Sequence, residues 1–157
     1  MLMKVSREIA RPADEVAAFF FDASNNPLWQ EGMESCHWTS DPPISIGSTY
    51  EQRARFLGRQ IISTFEVIRL EPDRLIETDT IKSTFPITVI RHVEPLDSTG
   101  CRVSAEISGG PEQGFMKLVE PLMARTAQKS VDRDYDRLVQ LLESSASSDS
   151  TENSPTE

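Results

Sequence analysis

The side chains best suited to chemistry are one arginine and a few hydroxyl and amide groups on segments patterned as β-strands. Arg91 lies in the apolar run PITVIRHVE, whereas Tyr50, Gln52 and Ser63 lie in the runs GSTYEQRARFL and QIISTFEVIRL. An arginine close to a tyrosine, a serine or an acid can promote enolisation and loss of water by acid–base catalysis. A guanidinium can instead anchor the anionic group of a bound ligand through its planar fork.

A buried Arg91 would need a partner for its charge, and the sequence leaves three possibilities open. One is a carboxylate on the preceding predicted strand, Glu77 or Asp79. Another is an anionic group on a ligand, and the third is water, if Arg91 lies at a rim and its head group snorkels outward. Either carboxylate would suit the role of a base if burial raised its pKa.

Metal and cofactor chemistry is not expected from this sequence. GxSxG, HExxH, the P-loop and GxGxxG are all missing. Cys36 and His37 are neighbours on a predicted strand and so point to opposite faces, while the other histidine, His92, is predicted to face outward. Cys36 and Cys101 form no CxxC pair, so we expect two small, half-buried thiols in a reducing cytoplasm and no disulfide.

Composition limits the class of protein. The 157 residues favour one domain with a sizeable core, and a formal net charge of -9 argues against a nucleic-acid partner. No run of about 18 apolar residues is present, so no transmembrane segment is expected. The N-terminal MLMKVSREIARP has no long apolar region and does not resemble a secretory signal, which favours the cytoplasm. The oligomeric state stays open between a monomer and a homodimer.

The composition changes towards the C-terminus. The segment ESSASSDSTENSPTE has no aromatic residue, no Ile, Leu or Val and no Lys or Arg. Such a segment buries too little apolar area to offset its loss of conformational entropy. We therefore predict one ligand-binding domain over residues 1–143 and a disordered, acidic, Ser-rich tail over residues 144–157.

The apolar patterning predicts a strand, short helices, six more strands and a long C-terminal helix. MKVSREIA is typical of a strand, and RPADEVAAFFFDA is typical of a helix that the segment Asn25-Asn26-Pro27 ends or breaks. Six short β-type runs separated by turn signals predict an antiparallel meander. The last helical segment, residues 110–143, contains Pro121, which should kink it or split off its first turns. A curved seven-stranded sheet needs one face covered, and only the long helix is large enough to cover it.

The hairpin around LGRQ predicts which side chains face inward. A two-residue turn at Gly58-Arg59 places Phe56 opposite Ile61 and Ala54 opposite Ser63. The largely apolar face then carries Tyr50, Gln52, Ala54, Phe56, Ile61, Ser63, Phe65 and Val67. Its small and polar members suit a cavity with a few hydrogen-bonding groups, although side chains from a helix would fill the same space equally well.

A second hairpin places Arg91 on the inward face. With a loop from Leu96 to Gly100, Arg91 faces Ala105 and Val93 faces Val103. The segment FFFDASNNPLWQEG brings Trp29 to the junction between the short helices and the sheet. The candidate ligand-cavity residues are Trp29, Tyr50, Gln52, Ala54, Phe56, Ser63, Phe65, Arg91, Val103, Ala105, Phe115, Leu118 and Leu122.

The order of these elements and several motifs resemble the polyketide-cyclase/START-like superfamily (SRPBCC, birch-pollen-allergen-like). The matching motifs are ARPADEVAAFFFD, NNPLW, IGSTYEQR, FEVIRLEPDRLIE and RHVEPLDSTGCRVS. With the order of the elements, the match covers about residues 3 to 143. The resemblance implies an α+β helix-grip fold, in which a curved antiparallel sheet wraps around a long C-terminal helix and encloses a ligand cavity. It also implies that Trp29 lies near the cavity mouth, as a packing residue or as a ligand contact.

Three functions remain open, because this superfamily shares a cavity rather than a catalytic set. The leading hypothesis is a protein that binds a hydrophobic or amphipathic small molecule of the lipid, polyketide or isoprenoid type. The second is a cyclase/dehydratase-type enzyme in which Arg91 and a carboxylate or Tyr50 converge inside the cavity. The third is an interaction module that uses a sheet edge or the C-terminal helix without any ligand.

Overall fold

The computed structural model describes residues 1–56, 58–110 and 116–149, with the side chains of residues 116–120 and 147–149 left aside. The strands are β1 (Leu2–Ile9), β2 (Met33–Trp38), β3 (Thr49–Phe56), β4 (Arg59–Glu71), β5 (Leu75–Lys82), β6 (Ile87–Pro95) and β7 (Cys101–Gly109). The helices are α1 (Ala13–Phe20), α2 (Asn26–Trp29) and α3 (Met116–Asp149), with a 3₁₀ turn at Ala23–Asn25. This order confirms the predicted helix-grip fold of the α+β class.

The seven strands form one curled antiparallel sheet in the order β1-β7-β6-β5-β4-β3-β2. Strands β2 to β7 make a meander, and β1 pairs with β7, so the first and last strands of the chain are neighbours. The curl gives the sheet an inner face, on which the helices lie, and an outer face that carries most of the charged side chains. Among the described residues, none of the helices has both the length and the apolar composition of a membrane-spanning segment.

Two short helices follow β1. Pro12 directly precedes α1, and Asp14 and Glu15 occupy its first turn, where the helix dipole favours negative charge. The segment predicted to end this helix begins the next one, because Asn26 opens α2 and Pro27 lies in its first turn. A proline is tolerated there since its missing N–H would have no partner inside the helix.

Helix α3 is continuous past Pro121, so the predicted division of the helix does not occur. Its later turns lie along β1, where Arg7 Nε is 2.8 Å from Asp136 Oδ1 and Gln128 Nε2 donates to the Lys4 carbonyl at 2.9 Å. The helix runs to Asp149, into the segment predicted as a disordered tail, and residues 150–157 lie outside the described residues. The boundary between domain and tail therefore stays a prediction.

The register of the β3–β4 hairpin differs from the prediction by two residues. Phe56 pairs with Arg59 rather than with Ile61, and Ala54 pairs with Ile61 rather than with Ser63. The predicted turn at Gly58-Arg59 was therefore placed one residue too late, and Gly58 adopts a φ of 76°, which favours glycine. A shift of two residues keeps every side chain on its face, so the predicted inner face is retained.

The β6–β7 hairpin has the predicted register. Arg91 pairs with Ala105, Val93 pairs with Val103, and Val89 pairs with Ile107. Arg91 pairs with Ile76 on its other side, in β5, and therefore lies in an inward-facing row.

The inner face divides into two halves that differ in burial. The sealed half lies under α1, α2 and the later turns of α3, and its strand residues, all buried, are Val5, Val67, Ile76, Val93, Val103 and Ala105. The open half lies at the other end of the same strands, and its residues, all half-buried, are Gln52, Ala54, Phe56, Ile61, Ile87, Val89 and Ile107. The boundary between the halves carries Tyr50, Ser63, Phe65, Thr78 and Arg91, all of which are buried.

Candidate functional site

Arg91 is the charged group at the centre of the boundary, and 9% of it is exposed. Its Nη1 donates to the carbonyl oxygen of Phe20 at 2.7 Å and to Asn26 Oδ1 at 3.1 Å. The guanidinium carbon lies 4.9 Å from the ring centroid of Phe20 and 5.3 Å from that of Trp29. Phe20 is the last residue of α1, so Arg91 satisfies a carbonyl that the helix leaves without a partner.

The prediction that Glu77 or Asp79 pairs with Arg91 is wrong. Because Arg91 pairs with Ile76, the alternation of β5 places Glu77 and Asp79 on the opposite face of the sheet. Asp79 accepts a hydrogen bond from Thr88 at 2.7 Å there. Among the described residues, no carboxylate forms an ion pair with Arg91, and its buried Nε has no hydrogen-bond acceptor. The guanidinium is therefore a buried cation whose charge is met by neutral acceptors and aromatic rings.

Tyr50 and Thr78 bring two hydroxyl groups to the same region. The two oxygens are 3.2 Å apart, and the ring of Tyr50 stacks on that of Phe65 with centroids 5.1 Å apart. Burial raises the pKa of Tyr50 to about 12, although the nearby positive charge of Arg91 opposes the shift. The phenol is therefore protonated at neutral pH, where it can donate or accept a hydrogen bond but is not available as an anionic base.

A small cavity of about 10 Å³ lies between these groups. It is lined by Phe21, Ala23, Tyr50, Ile76, Thr78, Val89 and Arg91. This volume admits about one water molecule or one oxygen atom of a ligand. A drug-sized ligand fills a pocket of roughly 300 Å³ or more, so the cavity alone holds no such ligand.

A larger depression, of about 320 Å³, lies away from the inner face. Its lining is mostly charged and polar: Glu71, Arg74, His92, Val93, Glu94, Pro95, Arg102 and Ser104. Ligand pockets for apolar molecules are lined mainly by hydrophobic and aromatic side chains. This depression therefore does not suit the hydrophobic ligand that the sequence predicts.

The predicted site residues fall into three places. Gln52, Ala54 and Phe56 lie in the open half, and Tyr50, Ser63, Phe65 and Arg91 lie at the boundary. Trp29, Val103 and Ala105 lie in the sealed half, each at most 2% exposed. Leu122 is 69% exposed on α3. Phe115 and the side chain of Leu118 lie outside the residues and side chains that the structure describes.

Trp29 lies in the hydrophobic core of the sealed half. Its ring makes an edge contact with Tyr135 at 5.1 Å and lies 6.0 Å from the ring of Phe20. Its buried Nε1 has no hydrogen-bond acceptor among the described residues. Ser63 is better satisfied, since its hydroxyl lies 2.7 Å from that of Ser83.

The sequence did not single out Thr78 or Asn26 as site residues. Thr78 shares the face of Ile76 and Arg91, so a predicted register between β5 and β6 would have found it. Asn26 contacts Arg91 across 65 positions of the chain, and no local pattern marks such a contact.

Thiol and metal chemistry find little support in this region. Burial raises the pKa of Cys36 to about 11, so its nucleophilic thiolate form is scarce at neutral pH. Burial also raises the pKa of Cys101, and both thiols are free. The described residues contain no group of three or more His, Cys, Asp or Glu side chains placed to hold a metal ion.

Comparison of the sequence with known protein families gives one match. A family described as polyketide cyclase/dehydrase and lipid transport matches residues 2–143. No curated protein matches the sequence.

Similar solved structures share the fold at low sequence identity. A Thermus thermophilus protein superposes with a TM-score of 0.79 at 14% identity, covering 92% of this chain and 99% of its own. A START superfamily protein from Mycobacterium smegmatis gives 0.72 at 12% identity, covering 91% of this chain and 97% of its own. An aromatase/cyclase from a Streptomyces species gives 0.72 at 11% identity, covering 91% and 93%.

Proposed function

The chain belongs to the polyketide cyclase/dehydrase and lipid transport family, and on that premise we propose that it binds a hydrophobic or amphipathic small molecule on the open half of its inner face. The observation that carries the proposal is the incomplete burial of that half. Ala54, Phe56 and Ile61 are half-buried although they face inward. Ile87, Val89 and Ile107 on β6 and β7 share this property.

A contiguous apolar surface that the protein leaves partly exposed is typical of a binding groove. Phe65 and Tyr50 stack on each other where the open half meets the boundary, and they close that end of the groove. Gln52 and Ser63 add the few polar groups that orient a ligand in such sites. We assign the ligand contacts to Gln52, Ala54, Phe56, Ser63 and Phe65, with Tyr50 and Arg91 at the closed end.

The residues of the sealed half have a supporting role in this proposal. Trp29, Val103 and Ala105 pack behind Arg91 and hold the boundary in place. We also propose Phe115, Leu118 and Leu122, in the segment that follows β7, as ligand contacts.

The proposal is tested by titrating the purified protein with Nile red, an uncharged hydrophobic dye whose fluorescence rises in apolar surroundings. We expect saturable binding that weakens when Ile87 or Ile107 on the open half is changed to Asp. The matched control is Ile68→Asp, because Ile68 is also on the sheet and is already 41% exposed. Binding that is equal in all variants would contradict a site on the open half. In a separate experiment, native mass spectrometry of the mildly purified wild-type protein would identify any ligand that remains bound.

A second candidate is a cyclase/dehydratase-type enzyme. It is favoured by one observation, which is that Arg91 and Tyr50 line the same cavity. Among the described residues that line this cavity there is no general base, because Glu77 and Asp79 lie on the other face and Tyr50 is protonated at neutral pH. Turnover of a linear poly-β-ketone thioester that is lost in Arg91→Met and in Tyr50→Phe would support the enzyme. Turnover at the rate of the buffer alone would contradict it.

A further inference from the structure

The positive charge of Arg91 is incompletely satisfied by the protein. It sits in a buried position where its hydrogen-bond partners are all neutral, namely the Phe20 carbonyl, the Asn26 amide oxygen and the hydroxyl of Tyr135. A buried guanidinium usually pairs with a carboxylate, because desolvating a charge is costly unless an opposite charge and hydrogen bonds compensate. The described residues supply no such carboxylate, and the Nε proton has no acceptor.

The cavity beside Arg91 presents donors and excludes cations. Between Tyr50 and Thr78, one hydroxyl proton serves their mutual hydrogen bond, which leaves the other free to point into the cavity. Arg91 lines the same cavity with a permanent positive charge. The remaining lining side chains, among them Phe21, Ile76 and Val89, are apolar and compete for no hydrogen bond. An oxygen atom with negative charge in this cavity would accept a hydrogen bond from the free hydroxyl and lie beside the positive charge of Arg91.

The position of the cavity fits one end of an amphipathic molecule. Along β6, burial decreases from Arg91 to Val89 and Ile87, and along β3 it decreases from Tyr50 to Gln52. The cavity therefore lies where the open half ends against the boundary. A ligand whose apolar part covers the open half would place its terminal group against Arg91.

A purely structural role for Arg91 explains only part of this arrangement. Capping the last carbonyl of α1 and stacking on Phe20 and Trp29 account for Nη1 and for the faces of the guanidinium. They do not account for the two hydroxyl groups, of Tyr50 and Thr78, that line the cavity beside Arg91. Both roles are compatible, since a guanidinium carries five N–H donors.

We propose that the cavity lined by Arg91, Tyr50 and Thr78 receives an acidic oxygen of the ligand, so that the protein prefers amphipathic carboxylic acids over neutral lipids of the same shape. This inference rests on the proposed function, because it assumes that the apolar part of the ligand lies on the open half. It adds the chemical class of the ligand and the groups that select it.

The test compares an acid with the alcohol of the same length. Decanoate and decanol form one pair, naphthoate and naphthalenemethanol form a second pair of aromatic shape, and each competes with Nile red at neutral pH. We expect the acid of at least one pair to bind about tenfold or more tightly than its alcohol, as a hydrogen bond between charged groups allows. Arg91→Met should remove the preference by weakening the binding of the acid more than that of the alcohol, so that the ratio of the two affinities falls towards one.

Two further variants keep the test informative if Arg91→Met fails to fold. Thr78→Val and Tyr50→Phe keep the shape of each side chain and remove one hydroxyl, and each should reduce the preference severalfold. Thr88→Val is the matched control, because Thr88 lies on the outer face and bonds Asp79. Its preference should equal that of the wild type.

The outcomes separate this inference from the proposed function. Equal affinity for acid and alcohol in both pairs would overturn the carboxylate site and leave the binding of an apolar ligand intact. If no member of either pair displaces Nile red, the carboxylate site is also overturned. Saturable binding of the dye alone would then support the proposed function, and the absence of dye binding would overturn both. A preference for acid that persists in Arg91→Met, Thr78→Val and Tyr50→Phe would place the selecting group elsewhere.

Discussion

The two halves of the inner face are built from the same strands and differ in what covers them. In the sealed half, Val67, Val93 and Val103 lie under aromatic rings from α1, α2 and α3 and have almost no exposed surface. In the open half, Ala54, Ile87 and Ile107 occupy equivalent inward positions and are half-buried. A strand that is tightly packed along its whole length would have no such gradient. The difference indicates that one half contributes stability and the other half is available for a ligand.

The boundary between the sealed half and the open half carries polar side chains that contact both halves. Arg91 donates to α1 through its Nη1 and also lines the small cavity. Tyr50 likewise packs on Phe65 with its ring and holds its hydroxyl near Thr78. These residues connect the rigid half to the open half, so changes in them should affect both stability and binding.

The largest effect that separates the halves is expected from removing a core aromatic ring. Trp29→Ala should lower the free energy of unfolding by about 3–5 kcal/mol, because the cavity it leaves is enclosed by Phe20, Tyr135 and Arg91. Ile87→Ala in the open half should lower it by less than about 2 kcal/mol, since that side chain is half-exposed at the start. Urea unfolding measures both values.

Binding of Nile red is the second measurement that distinguishes Trp29→Ala from Ile87→Ala. Under conditions where it remains folded, Trp29→Ala should bind Nile red as the wild type does, whereas Ile87→Ala should bind it more weakly. Loss of dye binding in a folded Trp29→Ala protein would instead make Trp29 a ligand contact. Equal losses of stability in the two variants would remove the distinction between the halves.

Alkaline pH should destabilise the protein through two buried tyrosines. Burial raises the pKa of Tyr50 at the boundary and of Tyr135 in the sealed half to about 12. In the unfolded chain these phenols lose their protons near pH 10, so between about pH 10 and 12 the unfolded state binds fewer protons and stability falls as pH rises. Each tyrosine should contribute roughly 2–3 kcal/mol to that loss.

Phenylalanine substitutions assign the alkaline effect to each half. Tyr135→Phe and Tyr50→Phe should each flatten the fall in the free energy of unfolding above pH about 10. If only Tyr135→Phe flattens it, Tyr50 titrates as an exposed phenol, and water reaches the boundary from the open half. The cavity beside Arg91 would then be wider in solution than the structure shows.

Enlarging an alanine should have opposite consequences in the two halves. Ala105 is 1% exposed in the sealed half, so Ala105→Leu should cost about 1–3 kcal/mol of stability through overpacking. Ala54 is half-buried in the open half, and Ala54→Leu should change stability by no more than about 0.5 kcal/mol. Nile red titration should show the reverse order, with weaker binding only in Ala54→Leu because the added side chain occupies the groove. A destabilised Ala54→Leu protein would indicate that the open half is already filled.

The sequence was sufficient to predict the faces of the sheet, and the reason is local. Alternating polarity in β3 and β4 assigns each residue to a face, and a register error of two residues leaves that assignment intact. The loop from Leu96 to Gly100 carries clear turn signals, so the register that puts Arg91 opposite Ala105 was predicted correctly.

The division into a sealed and an open half was not predictable in the same way. It depends on where α1 and α2 lie on the sheet, and that placement comes from contacts between distant parts of the chain, such as Asn26 with Arg91. The main acceptor for Arg91 is the Phe20 carbonyl, a group that every residue possesses and no sequence pattern marks. Glu77 and Asp79 were natural candidates from their position in the sequence, yet the alternation of β5 directs them to the outer face.

The smallest expected effect concerns a hydrogen bond at the margin of the open half. The hydroxyl of Ser63 lies 2.7 Å from that of Ser83, in the connection between β5 and β6. Ser83→Ala should cost no more than about 1 kcal/mol, because water from the open half can replace the lost partner. Asn26→Ala in the sealed half should cost more, about 1–3 kcal/mol, because Arg91 loses an acceptor where water has little access.

Asn25→Ala is the control for the sealed half, because Asn25 also carries an amide at the start of α2 but donates to the Phe19 carbonyl and does not contact Arg91. Subtracting the stability cost of Asn25→Ala from that of Asn26→Ala isolates the contribution of the hydrogen bond between Asn26 and Arg91. If Ser83→Ala costs as much as Asn26→Ala after this correction, no water replaces Ser83, and Ser63 belongs to the sealed half. The groove would then begin beyond Ser63, which leaves Ala54, Phe56 and Ile61 as its floor and moves the apolar part of any ligand away from Arg91.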